Sequence, residues 1–551
     1  MLPSLRFTFI LLGGHTLLAS AIPAPRSPPS VTLDQGTFIG APDGVTNMFL
    51  GMPFAQPPIG DLRFSLPVPN DPYNDTYDAT SFGLACPQQV APPPQQPFPS
   101  SIINNVTELL LETFGNTSTP SGEDCLNLNV WTPANITTGT QLPVVVWIFG
   151  GGFEADSPNS YDGSVIVSRS VEMNQPVVYV SINYRNTAFG FLASQEVKDA
   201  GVGNLGLRDQ RQALRWVQKY ISAFNGDPSR VTIWGASAGA ISVSLQMLTN
   251  GGDTEGLFHG AFMESGSPIP VGDITHGQKY YDALVSETGC SGAADTLQCL
   301  REVPFDALMA AVNQSPSIDS LQSLDLAWMP RADGAFLPYG PQALVTQGSV
   351  ASIPFVTGDV DDEGTAFSLY SLNVTTDDEV REYLTTYYLP DTASSQVDAL
   401  MEVYPQDPAQ GSPFDTGDLN QLSPQFKRLA AIQGDMVFQA PRRFFLANRS
   451  DKQTTYAFLS KRYKSLPGVG SMHGTDILNV YFDGDMTDYL VNFVNNLDPN
   501  GPGLLSWPTY STSSPQLLTF LDGPVPLNIT EDTFRADGMS LLTELMLANP
   551  I

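Results

Sequence analysis

Residues 235–239 read Gly-Ala-Ser-Ala-Gly, and their flanks constrain the fold more than any other stretch of the chain. Directly before them runs the β-branched and apolar segment Val231, Thr232, Ile233, Trp234, and directly after them the apolar, helix-like run from Ala240 to Leu248. Gly-x-Ser-x-Gly between a strand and a helix makes a sharp turn with a strained residue at its tip, so that the Ser237 hydroxyl stands exposed. The helix that follows aims its free N-terminal amides and the positive end of its dipole at the same point. In a chain with 47 glycines such a pentapeptide can arise by accident. Its placement is what makes Ser237 a nucleophile candidate.

The surrounding pattern alternates buried-strand and helix signals, as in an α/β fold with a largely parallel sheet. Val144 to Phe149 and Val177 to Asn183 read as near-continuous apolar strands, and Leu207 to Phe224 as a helix with Leu214, Val217 and Ile221 on one face. The turn Asn225-Gly226-Asp227-Pro228 then leads into the strand before Ser237, and Ala261 to Glu264 and Ile353 to Thr357 are the next strands. In such folds ligands bind at the carboxyl ends of the strands. Length alone favours two domains, but no linker, repeat or low-complexity tract divides the chain; the proline-rich stretch Ala91 to Pro99 lies between two cysteines.

A serine needs a base and an oxyanion site. Phe149-Gly150-Gly151-Gly152-Phe153 closes the Val144 strand, and three glycines leave backbone amides uncovered, as an oxyanion loop requires. Beyond the first 21 residues the chain holds the histidines His259, His276 and His473. His259 lies too near the serine in sequence and His276 in a polar loop, whereas His473 sits in the glycine-rich loop after the strand-like Tyr456 to Tyr463. The acid belongs between serine and histidine in chain order, where Asp361, Asp362 and Glu363 cluster. Residue chemistry does not choose among the three.

Arg6, the apolar Phe7 to Leu18 and the small residues Ala19-Ser20-Ala21 form a secretory signal segment (1–21), with the mature chain beginning near Ile22. The apolar run is too short for a membrane anchor and is broken by Gly13, Gly14 and His15, and the stretch Leu541 to Leu547 is too polar for a lipid-anchor signal. An extracellular protein is expected. Four cysteines in such a protein make a disulfide framework with three possible pairings, of which sequence neighbours, Cys86 with Cys125 and Cys290 with Cys299, are the natural one. These loops would contribute about 4 and about 3 kcal/mol. Sequons at Asn74, Asn105, Asn116, Asn135, Asn313, Asn373, Asn448 and Asn528 are glycosylation candidates, Asn313 the weakest because Pro316 follows its serine. With 56 acidic against 25 basic residues the net charge is −31, which excludes nucleic acid and anionic membrane surfaces as partners.

Several motifs, in order, resemble the type-B carboxylesterase and lipase family of α/β-hydrolases, which includes cholinesterases and secreted fungal lipases and sterol esterases. They are FLGMPFAQPPIGDLRF from Phe49, EDCLNLNVWTP from Glu123, WIFGGGF from Trp147, SINYR and FGFLAS from Ser181, GNLGLRDQRQALRWV from Gly203, the GASAG turn and MESGSP from Met263. The resemblance spans nearly the whole chain and implies one catalytic domain over 22–551. It implies Glu363 as the acid, from Gly358 leading to Glu363 and Gly364, and His473 as the base, with Asp476 three residues on. It implies Gly151, Gly152 and Ala238 as oxyanion donors, the two neighbour disulfides, and no metal or cofactor. Two positions depart from the family: Ala236 stands where a glutamate is usual, so a buried ion pair of relatives is absent, and Asn127 stands where aromatics or threonine are common.

In this family the first disulfide loop, here about 86–125, covers the active-site gorge and in the fungal lipase branch acts as a lid. Within it Ile103, Val106, Leu110 and Phe114 recur at helical spacing, opposite Asn105, Glu108 and Glu112, with Gly115 as a stop. That apolar face would close over the site or meet a lipid–water interface. Between the two cysteines there is no Trp or Tyr, only Phe98 and Phe114, which disfavours a quaternary-ammonium cage. The expectation is a secreted serine ester hydrolase of lipase or sterol-esterase type acting on a lipid-like ester. The alternatives are an esterase for smaller or aromatic, feruloyl-like esters and, more distantly, a non-catalytic binding protein, which retention of Ser237, Glu363 and His473 argues against.

Overall fold

The run Leu142–Ile148 is buried at every position, which only a strand covered on both faces achieves, and a mixed sheet is built outward from it. The computed structural model describes residues 27–90, 119–137, 139–482 and 484–551. In chain order the strands are β1 (Ser30–Leu33), β2 (Gly36–Ile39), β3 (Ala41–Asp43), β4 (Thr46–Pro53), β5 (Thr76–Asp78), β6 (Asn127–Pro133) and β7 (Leu142–Ile148). They continue with β8 (Val178–Ile182), β9 (Gly226–Ala236), β10 (Gly260–Glu264), β11 (Phe355–Val360), β12 (Thr455–Lys461), β13 (Gln516–Leu521) and β14 (Leu527–Glu531).

Eleven strands form the main sheet in the order β14-β13-β12-β11-β10-β9-β7-β8-β6-β4-β3, while β1, β2 and β5 form a small separate one. From β8 to β13 every pairing is parallel, and antiparallel strands finish both edges. The largely parallel sheet expected from the sequence is thus the centre of a mixed one. The expected turn at Asn225–Pro228 is confined to Asn225, at φ +62°. Gly226 already pairs with Leu142, so β9 begins five residues before the apolar run that betrays it.

Helices cover both faces. Leu205–Tyr220 and Ala238–Leu248 pack with buried faces on the sheet, and the buried apolar side chains around them form one large connected cluster. Trp147, Trp234 and Tyr481 lie at the centre of it, Trp234 stacked on Tyr481 with ring centroids 5.3 Å apart. Cys86–Cys125 and Cys290–Cys299 are the disulfides, as the resemblance implied. Among the described residues no helix is long and apolar enough to cross a membrane.

The signal segment, the apolar stripe Ile103, Val106, Leu110, Phe114, and the sequons Asn105 and Asn116 lie outside the described residues. Asn74, Asn135, Asn313, Asn373 and Asn528 are exposed. Asn448 is half-buried on the helix Ala440–Arg449, where its Nδ2, the atom that would carry a glycan, donates to Phe444 O at 2.9 Å.

Candidate active site

β9 ends at Ala236, and the next residue, Ser237, adopts φ +56°, ψ −127° before the helix Ala238–Leu248 begins. A side chain in that region is strained, and the strain is held by neighbours on both sides. Ser237 N–H donates to Glu264 O on β10 at 2.8 Å, and Ser237 O accepts from Ile241 N–H at 2.9 Å.

His473 Nε2 lies 2.8 Å from Ser237 Oγ, and its Nδ1 lies 2.5 Å from Glu363 Oε2. The three residues are 110 and 236 positions apart in pairs, so only the fold brings them together. Glu363 stands three residues past the end of β11, and Val360 N–H donates to its second oxygen, Oε1, at 2.8 Å. Phe438 and Phe367 flank the imidazole with centroids 4.6 and 5.1 Å away. Phe438 belongs to the π-helical turn Asp435–Gln439 inside a longer helix, a local widening of the kind that often marks functional sites.

Burial sets the protonation of the base. It pushes the His473 imidazolium down to about 4, against the pull of Asp476 and Asp359. The imidazole is therefore neutral at neutral pH, with Nε2 able to accept from the serine hydroxyl while one proton lies between Nδ1 and Oε2.

Gly151 and Gly152 both have positive φ, +78° and +63°, and a Cβ on Gly152 would come within 3.0 Å of Ile318 Cδ1. Their amides, with that of Ala238 at the helix start, meet no backbone acceptor among the described residues. That leaves three donors beside Ser237 for an oxyanion. Above them opens a cavity of about 460 Å³ whose apolar wall is Ile318, Phe367, Met472, Ile477 and Leu478.

The loop that carries His473 is fastened to the acid segment. Asp362 N–H donates to Ser471 O at 3.1 Å, and Asp362 Oδ2 accepts from Ser471 N–H at 2.9 Å and from Lys464 Nζ at 2.7 Å. Asp362 Oδ1 accepts from Ser412 Oγ and from Phe414 N–H. Gly470, at φ +61°, sits so close that a Cβ there would lie 2.4 Å from Asp362 Oδ2. Asp361 instead pairs with Lys464 and Lys461. Asp476 lies within the first turn of Thr475–Tyr481 and accepts from Ser265 Oγ at 2.8 Å.

At Ala236, where the resemblance leads one to expect glutamate, the register neighbour across to β10 is Glu264. It is fully buried, accepts from Trp234 Nε1 at 2.5 Å, and has no cationic partner among the described residues. Burial and the nearby Asp476 hold its carboxyl well above the usual range, so it is neutral. His259 and His276, the other histidines weighed from sequence, are remote from this cavity. Sequence reasoning missed Ile318, Asp156 and Tyr161 on the cavity wall, which carry no periodic or motif signal.

A serine at a strand-to-helix turn on a parallel sheet, followed in chain order by its acid and its histidine, defines an α/β-hydrolase. The model of the carboxylesterase family matches residues 27–535, and the chain belongs to that family. It is 41% identical to lipase 4 of Diutina rugosa over 96% of this chain and 98% of that one. It is 40% identical to a secreted triacylglycerol lipase of Gibberella zeae over 93% and 90%. Among solved structures, EstA of Aspergillus niger superposes with a TM-score of 0.79 at 26% identity, covering 95% of this chain and 99% of that one. The protein is a carboxylic-ester hydrolase of the lipase and carboxylesterase type.

Proposed function

We propose that the protein is an extracellular lipase whose single catalytic domain, 22–551, hydrolyses acylglycerol esters through Ser237, His473 and Glu363. The observation that carries this reading is the unbroken chain from Ser237 Oγ to His473 to Glu363 at the floor of an apolar cavity. His473 Nε2 takes the serine proton as Oγ attacks the ester carbonyl, and the amides of Gly151, Gly152 and Ala238 hold the resulting oxyanion. His473 returns the proton to the leaving alcohol, Glu363 stabilises the transient imidazolium, and water then releases the acid by the same route. The residues supply nucleophile, base and oxyanion donors themselves, so the reading needs no metal or cofactor.

The acylglycerol preference is supported by relatives named as lipases, one as a secreted triacylglycerol lipase, and by the apolar wall that would take an acyl chain. The same relative, the signal segment and the two disulfides support an extracellular location and a substrate met at a lipid–water interface. The test is a titrimetric panel of glycerol esters from acetate to oleate beside cholesteryl oleate and methyl ferulate. Fastest turnover of medium- and long-chain glycerol esters is expected. Turnover confined to acetate and ferulate esters would replace this reading with that of a small-ester esterase.

A further inference from the structure

Asp156 is a strained residue on the wall of the Ser237 cavity, and the only carboxylate among the described residues that line it. Its φ is +74°, where glycine is at ease and an L side chain is not. It stands just past the oxyanion glycines, with its Cβ 3.0 Å from where a Cβ on Gly151 would be. The segment is fixed in place from outside: Gln88 Oε1 accepts from Asp156 N–H at 3.3 Å, and Gln88 Nε2 donates to Asp156 O at 3.1 Å.

The carboxylate is held by three donors. Oδ1 accepts from Ser157 N–H at 2.7 Å and Ser160 Oγ at 2.8 Å, and Oδ2 accepts from Tyr161 OH at 2.7 Å. Each carboxylate oxygen can accept about two hydrogen bonds, so Oδ2 keeps room for one more. Strained non-glycine residues persist where the surroundings over-determine them, and they cluster at functional sites. Ile318, Phe367, Met472, Ile477 and Leu478 on the same wall suit an acyl chain, which leaves the polar corner of Asp156 and Ser160 to the alcohol part of the ester.

We propose that Asp156 determines specificity by accepting a hydrogen bond from a free hydroxyl on the alcohol part of the ester. Esters of polyols that retain a hydroxyl, mono- and diacylglycerols, are then preferred over esters whose alcohol has no donor. This rests on Ser237 being the nucleophile of the same cavity. A carboxyl already satisfied by three donors suits a neutral hydroxyl better than a cation, whose attraction calls for an uncompensated charge or an aromatic cage.

The test compares kcat/KM for 1-octanoylglycerol and for 2,3-dimethoxypropyl octanoate, both below their solubility limits. The two share acyl chain, carbon skeleton and oxygens, while O-methylation removes both hydroxyl donors from the second. The wild type should favour the glycerol ester by about tenfold or more. Asp156→Gly, which suits the positive φ, should bring the ratio to near one, and Asp156→Asn, which keeps an acceptor, should leave an intermediate ratio. Because each ratio is taken within one preparation, any general loss of activity divides out. A wild-type ratio near one, or a ratio unchanged in both variants, overturns the proposal. So does a preference for octanoylcholine over both esters that is lost in Asp156→Gly, which would make the corner a cation site. Failure of the wild type to hydrolyse either ester would instead overturn the functional reading beneath it.

Discussion

Asp362 and Ser471 exchange two hydrogen bonds, N–H to O at 3.1 Å and Oδ2 to N–H at 2.9 Å, and so clamp the histidine loop to the acid segment. The acid next to the triad member thus fixes where the base stands, although it touches neither Ser237 nor His473.

Among the three clustered acids, Glu363→Gln should cost the most, about ten-thousandfold in kcat, because the imidazolium loses its charge partner. From sequence alone Asp361 and Asp362 would rank together as mild. The structure separates them: Asp362→Asn puts an amide where four donors converge, and should lower both kcat and thermal stability. Asp361→Asn should cost least. Steady-state kinetics and melting curves of the three variants check the order, and a fully active, stable Asp362→Asn would contradict it.

Ser237→Ala should lower turnover by about a million-fold with an unchanged circular dichroism spectrum, since nucleophile and base act as a unit. Near-normal hydrolysis by the pure variant would remove Ser237 from the mechanism and return the non-catalytic reading to contention.

Only a neutral imidazole takes the serine proton, and burial places the His473 imidazolium at about 4. Activity should therefore fall as pH drops through about 4 and stay level from there to neutrality, rather than fall near the ordinary histidine value of 6.5. The kcat/KM profile of a soluble ester decides this, with recovery after return to neutral pH separating titration from acid unfolding.

Arg442 is completely buried between Asp359 and Asp532, 2.8 Å from each. Arg442→Met would leave Asp359 without its cation and Asp532 with Arg443 alone, and cost about 3–5 kcal/mol. The two guanidinium groups around Asp532 outweigh its burial and hold its carboxyl far below the usual carboxylate range. A depressed carboxyl stabilises above its unfolded value and stops doing so as pH falls, so the gap between wild type and variant should narrow below pH 4. Urea midpoints at pH 7, 5 and 3 test the sign.

Glu154, 2% exposed, accepts from Ile318 N–H at 2.8 Å through one oxygen, and burial pushes its carboxyl up to about 8. A raised carboxyl favours the folded state below its unfolded value, near 4.5, and loses that advantage as pH rises to about 8. Glu154→Gln should thus gain on the wild type by up to about 1.4 kcal/mol per pH unit across this window. Melting curves showing a constant difference from pH 5 to 8 would refute a buried titrating carboxyl.

The serine turn, the glycine triplet and the late histidine loop were legible because each is a local pattern tied to a strand end. The choice of Glu363 came from resemblance, since burial and hydrogen bonding do not show in three adjacent acids. What stayed hidden depends on partners far along the chain. Ser471 is 109 residues from Asp362, and Ser265 is 211 from Asp476, so neither the clamp nor the Ser265–Asp476 bond has a local signal. The first five residues of β9 are silent in the sequence for a similar reason, because the pairing of Gly226 with Leu142 lies outside the apolar run.

The neutral carboxyl of Glu264, bonded to Trp234 beneath the serine turn, bears on the electric field at the reacting atoms. A protein of net charge −31 would be expected to oppose an alkoxide anywhere on its surface. Here Glu264, whose carbonyl accepts from Ser237 N–H, carries a proton on its carboxyl instead of a charge, so it does not repel the developing oxygen anion. Hydrolysis of an uncharged ester should accordingly vary little with ionic strength, because salt screens the exposed charges of the surface far more than groups buried beside Ser237.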